Sequence, residues 1–230
     1  MACSLLFVGG CVFVNWSKQK IKKNKKQNKH NNNTPKNKNG KTTTKELIYS
    51  VLSSQYKVKA TLGNLNNHIG VPLTLLRFTK DLDFGIVEMG ANHQKEIEFL
   101  SSIARPDYGL ITNFGKAHLE GVGGVEGIIK GKSELYDYVK ADDKTLFINT
   151  HDEKQIKQIG RYTKTITIGA NATNDCILQF ISANPLVSIR YNNTQINSQL
   201  IGDYNYENIT AAVAIGQQFK VSTQNIKDAI

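Results

Sequence analysis

The chain has 230 residues, room for one large domain or two small ones, and 40% of them are hydrophobic, enough for a packed core. Its formal net charge of +10 is confined to one end: residues 1–45 hold 11 lysines and no acid, whereas residues 46–230 set 18 Lys/Arg against 19 Asp/Glu. A nearly neutral body argues against a nucleic-acid binder, and Cys3, Cys11 and Cys176 form neither an even disulfide framework nor a metal spacing, so a reducing, cytoplasmic setting is expected.

Leu5 to Trp16 is apolar but shorter than the ~20 residues that span a bilayer comfortably. It has no basic segment before it and no small-residue cleavage site after it. A membrane-proximal anchor beside the basic run is the alternative reading; no stable membrane anchor is expected. From Ser17 to Lys38 the only aliphatic residue is Ile21, and Lys and Asn dominate. Such a composition cannot bury enough surface to fold. The expected organisation is a disordered, basic, low-complexity head over 1–38 and one folded domain over 39–230. The head lacks the interleaved aromatics of a nucleic-acid-binding segment, and no nucleic-acid partner is expected.

After the head comes Asn39-Gly40-Lys41-Thr42-Thr43-Thr44, the makings of a phosphate-binding loop. Backbone N–H groups and a helix N-terminus would face the anion, Lys41 would reach the outer phosphates, and Thr42 would offer a hydroxyl to Mg²⁺. Leu47, Ile48, Val51 and Leu52 form a helical stripe directly behind it. Lys57–Thr61 reads as a short strand, and Phe84–Val87 as a fully apolar strand ending in Glu88. Ile97, Leu100 and Ile103 mark a helix, and Gly109–Ile111 another buried strand ending in Thr112-Asn113. Val125 to Val139 is a helix; Thr145–Ile148 and Thr165–Ile168 are strands. Three runs of β-type residues over 176–201, broken by Asn-Pro and Asn-Asn, predict a small antiparallel patch. A helix over about 205–218 and a short one after Ser222 complete the pattern. Alternating helices and strands predict an α/β fold, a P-loop-type, mostly parallel sheet flanked by helices.

In an open parallel sheet, ligands sit at the carboxyl ends of the strands. Glu88 follows one buried strand, and Asn113 and His118 follow another, so both bring polar groups to the edge that holds the phosphate loop. A carboxylate and an imidazole near a phosphate suit a hard divalent ion; taken singly, Glu88 is also a solvated strand end and His118 an ordinary loop histidine. Lys132 lies four residues after Ile128 and four before Tyr136, on the apolar stripe of its helix. It either snorkels to the surface or is desolvated, and a desolvated amine can take up CO₂ as an anionic carbamate.

These motifs carry a resemblance. The loop at 39–44, then Gly63-Asn64-Leu65-Asn66-Asn67 with Gly70-Val71-Pro72-Leu73-Thr74-Leu75, then Glu88-Met89-Gly90-Ala91-Asn92-His93, then Ile111-Thr112-Asn113-Phe114-Gly115-Lys116-Ala117-His118-Leu119-Glu120, then Gly131-Lys132-Ser133-Glu134-Leu135, then Gly202-Asp203-Tyr204-Asn205 with Asn208 resemble the central ATP-binding domain of the Mur ligases. The second and third motifs resemble the branch that adds D-Ala-D-Ala to a UDP-linked tripeptide.

The resemblance implies an ATP-dependent amide ligase of peptidoglycan precursor synthesis. UDP-MurNAc-tripeptide and D-Ala-D-Ala would be its substrates, an acyl phosphate its intermediate, and ATP and Mg²⁺ its cofactors. It implies catalytic roles for Lys41, Lys132 (carbamylated in the family) and His118, and metal ligation by Thr42, Glu88 and His118. It implies nucleotide contacts by Asn39, Gly40, Lys41, Thr42, Thr43, Asn205 and Asn208, and substrate contacts by Asn67 and His93. A monomer is expected. Another Mur-type or folylpolyglutamate synthase-like ligase, or a non-catalytic nucleotide-binding remnant, is the alternative.

The sequence departs from the pattern at the front. The family's first loop glycine would fall at Asn37, or at Pro35 in the longer general template. Residues 24–36 contain no strand-forming apolar residue, so the sheet is expected to lack the central strand that precedes the loop. A truncated, frame-shifted or decayed gene would account for such a front. No counterparts of the family's N-terminal UDP-substrate domain and C-terminal domain are found, so little ligase activity is expected of the chain alone.

Overall fold

An apolar run of five to eight residues bounded by turn signals becomes a strand buried on both faces, and Phe84–Glu88 is such a strand, buried along its whole length. The computed structural model describes residues 4–8, 11–13, 41–115 and 124–230. Their elements are β1 (Ser4–Val8), β2 (Cys11–Phe13), α1 (Lys41–Ser53), β3 (Val58–Ala60), α2 (Gly70–Leu76), β4 (Phe84–Glu88), α3 (Glu96–Ala104), β5 (Tyr108–Leu110), α4 (Gly124–Ala141), β6 (Thr145–Asn149), α5 (Glu153–Ile159), β7 (Thr165–Gly169), β8 (Cys176–Ala183), β9 (Leu186–Tyr191), β10 (Thr194–Ile201), α6 (Asn205–Gln218) and α7 (Thr223–Ala229).

Ten strands form one mixed sheet in the order β10-β9-β8-β7-β6-β5-β1-β4-β3, with β2 also pairing β5 off this path. Pairing is parallel from β3 through β4, β1, β5, β6 and β7 to β8, and antiparallel from β8 to β9 and β10. The expected antiparallel patch over 176–201 is therefore present. Its β9–β10 hairpin turns at Asn192 and Asn193, both at positive φ (45° and 59°), as a tight hairpin turn demands and asparagine tolerates.

The front of the chain corrects one expectation. The sheet does not lack its central strand: β1 lies parallel between β4 and β5, with Ser4 beside Phe84 and Val8 beside Leu110. Residues 4–8 and 11–13 thus belong to the folded sheet and not to a disordered head. The physical reason lies in the sequence Ser-Leu-Leu-Phe-Val, a short apolar run followed by Gly9-Gly10, which suits a slot flanked on both sides by buried strands. The expected disorder of Ser17–Lys38 falls on residues outside those described.

The stripe of α1 is buried as its spacing predicts: Ile48, Val51 and Leu52 are fully enclosed and Leu47 nearly so. Each such side chain contributes roughly 1.5–3 kcal/mol by leaving water. α1 packs against α6, and the approach is close. A Cβ at Gly216 would lie 2.7 Å from Val51 Cγ1 and 3.0 Å from Ile226, so only glycine fits without displacing them. This packing fixes the start of α1 over the carboxyl ends of β3 and β4.

Candidate active site

Lys41 and Thr42 open α1, and Glu88 ends β4. These three, with Asn64, Asn66, Asn67, His68, Gly90, Ala91, Asn92, Glu96, Phe99 and Leu100, line a cleft of about 490 Å³ at the carboxyl edge of the sheet. The turn after β3 supplies its asparagine wall. Gly70 lets that turn close: a Cβ there would sit 2.3 Å from the Leu65 backbone, which no other residue can accommodate. Asn67 Oδ1 accepts from the N–H groups of Ile69 (3.1 Å) and Gly70 (2.9 Å), capping the start of α2.

Glu88 is only 1% exposed. Its Oε1 accepts from Asn66 Nδ2 at 2.9 Å, and its backbone N–H donates to Thr61 Oγ1 at 2.9 Å. Its Oε2 has no hydrogen-bond partner among the described residues. A buried carboxylate oxygen left unpaired is costly, and one at a cleft wall suits a ligand that completes its shell. Of the two readings of Glu88 alone, the solvated strand end is excluded.

Lys132 resolves differently. It is half-buried on α4, and its Nζ donates to the carbonyl of Asn113 at 2.5 Å, just beyond β5. It therefore reaches the sheet's carboxyl edge instead of turning to solvent, although it does not line the cleft. Asn205 and Asn208 are buried on α6 and form a relay with the phosphate-loop helix. Thr44 Oγ1 donates to Asn208 Oδ1 (2.7 Å), Asn208 Nδ2 to Asn205 Oδ1 (2.8 Å), and Asn205 Nδ2 to the Ile201 carbonyl (2.9 Å). Thr43 is half-buried on α1, and His93 is exposed on the loop before α3; neither lines the cleft. Asn39, Gly40 and His118 lie outside the described residues. So the structure gathers Lys41, Thr42, Glu88 and Asn67 into one cleft. It sets Lys132, Asn205 and Asn208 apart from it.

Sequence reading missed three residues that shape the site. Lys45 is fully buried beneath the cleft. Its spacing from Ile48 and Leu52, three and seven residues on, puts it on the apolar stripe, the signal that singled out Lys132. Asn66 clamps Glu88. Glu134 reaches from α4 to the N-terminus of α3, where its Oε1 accepts from the Lys95 N–H (2.5 Å) and its Oε2 from the Glu98 N–H (3.1 Å). Lys95, at φ +70°, precedes α3 with no cap of its own, so the carboxylate of another helix supplies it. Glu96 Oε2 accepts from the N–H groups of Asn92 (2.6 Å) and His93 (3.2 Å), strapping the cleft's far rim to the same helix end.

The donor set suits a hard cation without a dedicated protein cage. Among the described residues no group of three or more His, Cys, Asp or Glu could hold a metal. One carboxylate and one hydroxyl beside a phosphate loop are what Mg²⁺ uses when it keeps waters and takes phosphate oxygens. Cysteine chemistry is excluded at Cys176: its thiol is buried and pushed up to about 12, first by desolvation and then by Asp175, so no thiolate forms near neutrality.

A parallel sheet with a helix-borne lysine and threonine facing a strand-end carboxylate defines an α/β domain of the P-loop type. The sequence profile of the Mur ligase middle domain matches residues 38–216. The chain belongs to the Mur ligase family. It is 35% identical over 190 residues to UDP-N-acetylmuramoyl-tripeptide–D-alanyl-D-alanine ligase of Bacillus subtilis, a match covering 81% of this chain and 41% of that protein. The Escherichia coli ligase of the same name is 47% identical over 97 residues, 42% of this chain and 22% of that one. Among solved structures, MurF from Acinetobacter baumannii superposes with a TM-score of 0.71 at 30% identity, covering 82% of this chain and 42% of that one. MurF ligase from Thermotoga maritima, solved in complex with ADP, gives 0.69 at 27% identity, over 81% of this chain and 45% of that one. The chain thus spans less than half the length of these relatives. A folylpolyglutamate synthase from L. casei, with a TM-score of 0.56 at 12% identity, shares the fold alone.

Proposed function

We propose that this chain supplies the nucleotide-binding and phosphoryl-transfer domain of a ligase that joins D-Ala-D-Ala to UDP-MurNAc-tripeptide. The single observation behind this reading is the cleft that brings Lys41 and Thr42 together with a buried Glu88 whose Oε2 accepts no hydrogen bond among the described residues. In the proposed reaction the terminal carboxylate of the tripeptide attacks the γ-phosphorus of ATP, and ADP leaves. The amine of D-Ala-D-Ala then attacks the acyl carbon, phosphate leaves, and an amide remains. The Lys41 ammonium offsets charge on the transferring phosphoryl group, as fixed cations do. Thr42 would hold one Mg²⁺ and Glu88, with His118 as its candidate partner, a second, and these ions would neutralise phosphate charge. Lys132 is the candidate carbamate. Asn205 and Asn208 are candidates for the adenine side, and Asn39, Gly40 and Thr43 for the phosphates. Asn67 and His93 are candidates for the substrate side.

The setting proposed is a cytoplasmic monomer without a membrane anchor; among the described residues no helix is long and apolar enough to cross a membrane. The whole reaction needs surfaces from the remaining length of the relatives, so the chain by itself is proposed to bind nucleotide but form little or no amide. Calorimetric titration with ADP and Mg²⁺ tests this. Binding is expected, and Lys41→Ala is expected to weaken it by about 10- to 100-fold, the worth of a charge-assisted contact. Unchanged affinity in that variant removes the phosphate loop from the account. Amide formation by the unmodified chain alone sinks the claim of dependence on further domains.

A further inference from the structure

Lys45 is a lysine with no exposed side-chain surface, one turn beyond Lys41 on α1. Its ammonium donates to the Thr61 carbonyl at 2.7 Å and reaches that of Gly63 at 3.4 Å. It lies 2.9 Å from Glu46 Oε1 and 3.9 Å from Glu88 Oε2. Taking an ammonium out of water is costly and persists only where acceptors surround it. Here those acceptors come from three segments that build the cleft: α1, the turn after β3 and the end of β4.

We propose that Lys45 is the positioning residue that holds the Glu88 carboxylate oriented against the phosphate end of α1. Asn66 fixes Oε1 by a direct hydrogen bond, whereas Lys45 stands 3.9 Å from Oε2, near enough to compensate its charge and too far to occupy it. The carboxylate is thus held in place with one oxygen still open to a ligand. Because Lys45 shares a helix with Lys41 and Thr42, the same ammonium sets the spacing between those two residues and Glu88. The competing account is a structural plug: Lys45 satisfies the Thr61 and Gly63 carbonyls and has no bearing on Glu88.

Thermal unfolding of the full chain separates the two. Lys45→Met leaves Glu88 buried and uncompensated and is expected to lower Tm by about 10 °C. In Lys45→Met/Glu88→Gln neither charge remains, and at least half of that loss is expected to return. A double variant no more stable than Lys45→Met overturns the proposal. If Lys45→Met does not fold, the double variant decides: folding supports the pairing, and failure to fold overturns it. A second arm rests on the reading of Glu88 as a magnesium ligand. In ADP titrations, Lys45→Arg, which keeps the charge but changes its reach, is expected to raise the half-saturating Mg²⁺ concentration by about tenfold, the scale of outer-shell effects on metal sites. An unchanged Mg²⁺ requirement overturns the positioning role. Binding by the unmodified chain that ignores Mg²⁺ overturns the metal reading itself, while the unfolding cycle still rules on the Lys45–Glu88 pairing.

Discussion

At the amino edge of the sheet, Tyr56, Phe84, Phe219 and Tyr108 form a chain of edge-to-face rings with centroids 4.9, 4.6 and 5.1 Å apart. At the carboxyl edge of the same strands, the fold buries Lys45, Glu88 and Thr112, with Glu88 Oε2 and Thr112 Oγ1 lacking hydrogen bonds among the described residues. β4 joins the two directly, beginning at Phe84 and ending at Glu88. One end closes chiefly by aromatic packing, which needs no ligand, although Asp107 Oδ2 there also accepts no hydrogen bond among the described residues. The other stores polar groups that a ligand would complete. The difference teaches where stability and binding reside: substitutions at the first edge should act on folding, and those at the second on ligands and on the loops that meet them.

The strongest test of that division is Phe84→Ala. It removes one of the two inner rings of the aromatic chain and opens a cavity in a buried strand. The expected loss is about 3–5 kcal/mol of unfolding free energy, read from urea midpoints. ADP affinity of the protein that remains folded should stay within about twofold, because no ring of that chain lines the cleft. A parallel fall in affinity breaks the division.

Glu134→Ala is the next largest and belongs to the other edge. It leaves the Lys95 and Glu98 amides at the start of α3 without their acceptor, at a cost of about 1–3 kcal/mol. The effect should be local: amide hydrogen exchange at Lys95 and Glu98 should quicken by about 10- to 100-fold, while exchange in β5 and β6 changes little. Glu134→Gln, with a single carbonyl oxygen, should restore part of the protection. Uniform loss of protection across the sheet would mean that Glu134 supports the core and not the rim of the cleft.

The sequence carried most of the sheet because its buried strands are continuous apolar runs and its helices show clean stripes. It failed where an element's signal depends on its neighbours. β1 is hidden by its distance from the phosphate loop: residues 24–36, where a strand immediately before Gly40 would fall, hold no apolar run, and the slot between β4 and β5 is filled from Ser4–Val8. α2 starts in an asparagine-rich turn with Pro72 in its first turn, where proline is tolerated but reads as a break. α5 is short, polar and held by an Asp152 cap, which gives almost no periodicity. At the site, Lys41, Thr42, Glu88 and Asn67 were legible because motif and strand end coincide. Lys45 was not, because a lysine between threonines and a glutamate looks solvated until its place on the stripe is counted. Glu134 could not be seen, since the amides it caps belong to another helix.

The smallest effect sharpens the comparison most. The amino edge also holds an ion pair, Asp107–Lys144, at 2.9 Å, with the two side chains 12% and 40% exposed. Burial pushes the Asp107 carboxyl above its ordinary 3.8, against the lowering effect of the Lys144 hydrogen bond. The folded chain therefore keeps a proton that the unfolded chain has released, so this contribution to stability falls as pH rises from 3.8 through the raised value and is flat beyond. Lys144 behaves as a cation that gains a partner: its hydrogen bond to Asp107 raises it above 10.5. That contribution is fully present below 10.5 and is lost as pH climbs through the raised value. Asp107→Asn removes the first of these slopes and weakens the second. Near pH 7 it should change stability by less than about 1 kcal/mol, because the lost pair is offset by relief of a buried charge and the lysine is partly solvated. Urea midpoints against pH check both slopes. A loss at pH 7 as large as that expected for Lys45→Met would mean that the two edges hold their ion pairs alike, and that burial of the cation does not distinguish the one beneath the cleft.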